Sequence, residues 1–194
     1  MKFPDYYKNI EPIVLFDELA MFLGAPEDGK YEIHYQEIVK MAGHSCATVA
    51  GAYLITFKGL ESLYENEIPK RGEIKVEVRD SAEEGSIGVS ASIFTNITGA
   101  AGGTGFAGIN GKYARRNLLS FNAKIDGFVR FTRMDTGKSV EVNYNPANVV
   151  YPGNIMMSAI GPQATEETKR TFPFRWKEMI GTIFNNIDKV IEVR

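Results

Sequence analysis

The sequence is poor in the residues that build thiolate and imidazole chemistry. Its 194 residues include one cysteine, Cys46, two histidines, His34 and His44, and one tryptophan. A lone cysteine forms no internal disulfide. It also excludes zinc fingers, zinc ribbons and iron–sulfur clusters built from this chain alone, which need several thiolates. One free thiol suits a reducing cytoplasm. Neither sign of charge is in excess: 22 Lys plus Arg stand against 24 Asp plus Glu. The basic surplus of a nucleic-acid binder is therefore missing, and no nucleic-acid partner is expected. Long apolar runs are missing too. The uncharged and largely apolar stretch 41–57 has 17 residues, fewer than the ~20 of a membrane span. It reads as a buried helix with its leading loop, and no membrane association is expected. The first residues lack the apolar segment of a signal peptide.

What is present is ordinary for a folded chain. Hydrophobic residues make up 44% and charged residues 24%, which excludes a disordered chain. The length corresponds to about one domain. Size scaling gives a folded surface of roughly 9,200 Å², with about 70% of the unfolded surface buried. No internal repeat or low-complexity linker is visible.

Residues 11–23 space Ile13, Leu15, Phe16, Leu19, Phe22 and Leu23 as a short helix closed by Gly24. Residues 31–35 suit a short strand. From Ser45 to about Tyr64 the pattern predicts a long helix, nearly apolar all round in its first turns and therefore buried on several sides. Its small residues Ala47, Ala50, Gly51 and Ala52 let other elements approach closely. Residues 73–79 set Ile74, Val76 and Val78 against Lys75, Glu77 and Arg79, a half-buried strand. Residues 87–98 suit a strand or a helix. Residues 123–132 and 139–144 predict a hairpin around Asp135-Thr136-Gly137. Residues 146–162 read as irregular. Pro173 is expected to open the last helix, with Trp176, Met179, Ile180, Ile183, Phe184 and Ile187 on its apolar face. Strands and helices do not alternate strictly, so the expected class is α+β.

The most conspicuous chemistry is Gly43-His44-Ser45-Cys46, just where the long helix starts. Ser45 is a good N-cap, which makes Cys46 the first helical residue, and the helix N-terminus favours a thiolate there. Before the cap the backbone is not helical, so His44 can turn toward the same point as Cys46. Thiolate and neutral imidazole are both ligands for zinc and other borderline metals. Two ligands are too few for a tight site, and His34, Asp80, Glu83, Glu84, water or a ligand from a second chain are the further candidates. Three readings stand open: a buried cysteine beside a hydrogen-bonded histidine, a metal pair, and a nucleophilic Cys–His pair.

Residues 99–111 carry six glycines. Gly103-Thr104-Gly105-Phe106-Ala107-Gly108 fits G-x-G-x-x-G, but no long apolar helix follows, so the dinucleotide reading fails. Lys112 is followed by Tyr113, which also breaks the P-loop pattern. The segment reads as a flexible loop close to a ligand, with backbone amides and Lys112, Arg115 or Arg116 available to an anion.

These residues together resemble the family of formylmethanofuran dehydrogenase E-subunit-like proteins. The resemblance covers about residues 30–145 and is strongest over Ala42-Gly43-His44-Ser45-Cys46 and the small-residue helix through Gly51 and Tyr53. It continues through Gly72-Glu73-Ile74 to Arg79-Asp80, then Thr98-Gly99, then Gly111-Lys112 through Asn117-Leu118. It implies one domain over 1–194, with that core and a C-terminal helical extension over 165–190. It implies a mixed β-sheet packed by a long buried helix, and a homodimer with the site near its interface. It also implies zinc or another divalent transition metal at the His-x-Cys motif. The cysteines that many relatives carry after the acidic strand end and after Thr-Gly are absent from residues 80–85 and 99–103, and the C-terminal cysteine-rich zinc module is absent as well. The resulting expectation is a metal-binding accessory protein. His44, Cys46 and His34 are its expected ligands, and a small molecule is held by Arg79, Thr104, Lys112, Arg115 and Arg116. The alternatives are a metal-dependent enzyme acting on a small anionic or one-carbon substrate, with an arginine holding the anion, and a purely structural role.

Overall fold

The computed structural model describes residues 2–194. In chain order it holds β1 (Ile13–Phe16), α1 (Glu18–Phe22), β2 (Lys30–Ile33), α2 (Tyr35–Ala42), α3 (Ala47–Tyr64), β3 (Ile74–Val78), α4 (Ile87–Thr98), β4 (Leu119–Ser120), β5 (Val129–Arg133), β6 (Ser139–Tyr144), α5 (Pro152–Ile160), α6 (Glu166–Phe184), α7 (Ile187–Val190) and β7 (Ile191–Val193). Alternation builds the main sheet: Ile74, Val76 and Val78 are buried on one face of β3, and Val129 and Phe131 continue that face on β5. The strand order is β4-β3-β5-β6-β7, with β3 and β4 parallel and the other pairs antiparallel. β1 and β2 form a separate antiparallel pair. The class is α+β, as the sequence predicts.

The long helix lies across the sheet as its small residues require. A Cβ added at Gly51 would sit 2.3 Å from the Tyr144 ring, so only glycine lets α3 approach β6 this closely. Leu54, Ile55, Leu60 and Leu63 fill the core around it. The face of α6 bearing Met179, Ile180, Ile183 and Phe184 joins the same core. α4 packs beside α3 as a strut. At its start Ser86 Oγ meets Thr48 Oγ1 at 3.1 Å, and at its end the carbonyls of Asn96 and Ile97 accept from Arg71. Twelve residues make it ~18 Å long.

Three expectations change and one open reading is decided. Residues 11–23 are a strand, a cap and a short helix rather than one helix. Ile13 and Leu15 alternate with exposed Val14 and pair with β2, and Asp17 then caps α1 by accepting from the Ala20 amide at 3.1 Å. The ambiguous stretch 87–98 is a helix. Residues 146–162 contain α5. Pro173 lies inside α6 rather than at its start, because Thr165 caps the helix earlier, accepting from the Thr168 amide at 3.2 Å, with Glu166 and Glu167 favourably placed in the first turn. No helix among the described residues is long and apolar enough to cross a membrane.

Candidate functional site

The start of α3 is bolted in place. Trp176 Nε1 donates to the Ser45 carbonyl at 2.9 Å, Ser45 Oγ shares a 2.7 Å bond with Tyr35 Oη, and Tyr144 Oη donates to the Ala47 carbonyl at 2.9 Å. With the Ser45 hydroxyl engaged by Tyr35, the N-cap passes to Cys46, whose Sγ accepts from the Val49 amide at 3.5 Å. Cys46 is therefore the cap and not the first helical residue. His44 is exposed, and its Nδ1 lies 3.0 Å from the Ala42 carbonyl, to which it donates in its Nδ1–H form.

The remaining expected metal ligands do not gather here. His34 precedes α2 and His44 follows it, so eight helical residues, ~12 Å of rise, separate them along the chain. The His34 ring faces Glu32, with 3.9 Å between Nε2 and the carboxylate. Asp80 is held by Arg79 and Glu83 by Ser81. Among the described residues no three His, Cys, Asp or Glu side chains form a group able to hold a metal. The donor set of one chain thus stops at two, and a tetrahedral zinc site needs four.

A different constellation lies at the far end of α4. Asp17 is only 2% exposed, and its carboxylate accepts from Arg71 Nη1 at 2.9 Å and Arg115 Nη2 at 2.7 Å. Burial alone would raise this carboxyl. The Arg71 bond, the Ala20 amide and the Arg115 charge together hold it below the usual carboxylate range. Arg71 is fully engaged, because its other nitrogens donate to Ile97 O at 3.0 Å and Asn96 O at 3.1 Å, at the negative end of α4. Arg115 is not. It is 8% exposed, and its buried Nη1 has no hydrogen-bond partner among the described residues. The guanidinium passes over Gly72, whose φ is +86° and where an added Cβ would fall 1.1 Å from Nη1.

Two adjoining cavities of about 480 and 450 Å³ meet at Leu19, Arg71 and Arg115. The first is walled by α1 on one side and residues 112–116 on the other, and a stack of Phe22 on Tyr113, with centroids 5.7 Å apart, ties the two walls. Lys112 and Arg116 line it from exposed positions. Three of the five expected ligand contacts thus come together. Thr104 is exposed and lines neither cavity, while Arg79 sits beyond the opposite end of β3, bonded to Asp80. The five residues of β3 alone put ~17 Å between Arg79 and the cavity wall at Glu73.

The glycine-rich loop is partly held by its own carbonyls. The amides of Gly105, Ile109, Lys112, Arg115, Arg116 and Asn117 all donate to carbonyls of the loop itself. Asp17 and Arg71 went unrecognised in the sequence, because an Asp before a short helix and an Arg before a strand are individually commonplace. The available signal was Gly72, next to Arg71 and within the family-like stretch. The chain matches no protein-family model and no curated protein.

Proposed function

We propose that the protein binds a small anionic molecule in the cavity over Arg71 and Arg115. This reading rests on Arg115: a guanidinium 8% exposed, sharing its one carboxylate with a second arginine and keeping Nη1 unpaired among the described residues. Buried charged donors are normally satisfied, and leaving one unpaired is costly. An anion in a cavity that Arg115 itself lines offsets that cost once the buried Nη1 turns toward it. The test is thermal unfolding across a series of small anions. A ligand at 100 times its Kd stabilises by about 2.7 kcal/mol. Wild-type protein should show saturable stabilisation, and Arg115→Gln should lose most of it. Equal stabilisation of both proteins contradicts the site.

A second reading retains the metal implied by the resemblance to formylmethanofuran dehydrogenase E-subunit-like proteins. His44 and Cys46 reach the surface at the same turn, so two copies of the chain would bring the four donors that zinc prefers. On this reading one metal per two chains is lost in Cys46→Ala, and the dimer weakens with it. Neither an accessory metal role nor metal-dependent catalysis rests on one chain alone. The free Cys46 thiol agrees with a cytoplasmic setting.

A further inference from the structure

We infer that the ligand of this cavity is a monocarboxylate with an apolar body, rather than a phosphate or a dicarboxylate. This rests on the anion-site reading above and narrows it to one chemical class. Charge points to a single negative group. The buried guanidinium of Arg115 and the partly buried one of Arg71 share the single carboxylate of Asp17, and Arg71 is further compensated by the end of α4. One positive charge, on Arg115, is left over, and one negative charge balances it. Of the other charged side chains that line the same cavity, Glu18 and Glu73 balance Lys112 and Arg116, so a second charge on the ligand finds no net positive partner.

Size and lining point to an apolar body. A bare carboxylate occupies little of about 480 Å³, a volume typical of sites for organic ligands with most of their surface buried. Beside the arginines the wall is apolar, formed by Leu19, Leu118, Met134 and the Tyr113 ring. A ligand that places its carboxylate on Arg115 has these side chains in reach of its body.

Isothermal titration of the full chain with three probes tests this: benzoate, acetate and inorganic phosphate at neutral pH. Benzoate should bind, and acetate should bind more weakly by about tenfold or more, because it lacks the buried ring. Phosphate should bind no more tightly than acetate. Arg115→Gln should weaken benzoate by about tenfold or more. Glu18→Gln, at an exposed position, should raise phosphate affinity by a larger factor than benzoate affinity, because phosphate carries the greater negative charge. Phosphate binding more tightly than benzoate, with dependence on Arg115, overturns the monocarboxylate and leaves the anion site standing. No saturable binding of any probe to folded wild-type protein overturns both.

Discussion

The two ends of α4 treat polar groups in opposite ways. At its start, next to the first turn of α3, Ser45, Cys46, Thr48 and Tyr144 each have a hydrogen-bond partner. At its end, two arginines converge on one aspartate, and Arg115 keeps a buried nitrogen unpaired among the described residues, beside a cavity. The conspicuous residues, the lone cysteine and its neighbouring histidine, belong to the satisfied end. The unremarkable residues, two of many arginines, belong to the end with binding capacity left over. Rarity in a sequence points to a residue, but unspent hydrogen-bonding capacity in the fold points to a ligand.

Substitutions probe this contrast. The largest effect is expected from Asp17→Ala, which leaves two guanidiniums around an empty place. Breaking a buried charge pair in this way costs about 3–5 kcal/mol, read by chemical denaturation. A loss under about 1 kcal/mol contradicts a charge cluster that holds the fold. The same carboxylate gives a pH signature. Its pKa is lowered in the folded protein, so its stabilisation is complete above the ordinary value of 3.8. That stabilisation is lost as the pH falls through the lower folded value. Denaturation followed over this acid range should show a smaller acid loss in Asp17→Asn than in wild type.

Gly72→Ala comes next. It imposes a side chain on a backbone at φ +86° and drives a methyl into Arg115, a backbone cost of about 1–3 kcal/mol. Benzoate affinity should fall with it, because the guanidinium must move. Unchanged affinity would place the ligand elsewhere.

The helix-start end should respond less. Cys46→Ala removes the sulfur that accepts from Val49, a cap loss of about 1 kcal/mol. Cys46→Ser should recover most of it, and neither should alter benzoate binding. His44→Ala, at an exposed position, should change stability by no more than about 0.5 kcal/mol. Larger losses here, accompanied by loss of bound metal and of the dimer, would favour the shared-metal reading of this end.

Much of the fold was legible because it follows from periodicity. The alternation of Ile74, Val76 and Val78 placed β3, the turn at Asp135-Thr136-Gly137 placed the β5–β6 hairpin, and the apolar length of residues 47–64 placed α3 in the core. The misreadings occur where two periods overlap or a cap decides. Ile13, Leu15 and Leu19 fit a helical face as well as a strand followed by a capped turn, and only pairing with β2 selects the latter. Thr165 overrides Pro173 as the start of α6 because its cap opens the helix two turns earlier, and the helix continues through Pro173 without the backbone bond to the Lys169 carbonyl. The site was half legible. Lys112, Arg115 and Arg116 stood out as cations after a glycine-rich loop, and they line the cavity. The Asp17 partner of Arg115 lies 98 residues away in sequence. No local pattern joins positions so far apart, and only the packing of α1 against the loop brings them together.

If binding capacity resides in the arginine cavity and not at the start of α3, a bound ligand must perturb the first and spare the second. Titration of isotope-labelled protein with benzoate, followed amide by amide in two-dimensional ¹H–¹⁵N spectra, separates the two ends in one experiment. Saturable shifts are expected at Gly72, Gly99 and residues 112–116, with residues 44–48 unmoved. Shifts centred on residues 44–48, with Gly72 and residues 112–116 unmoved, would contradict the arginine site.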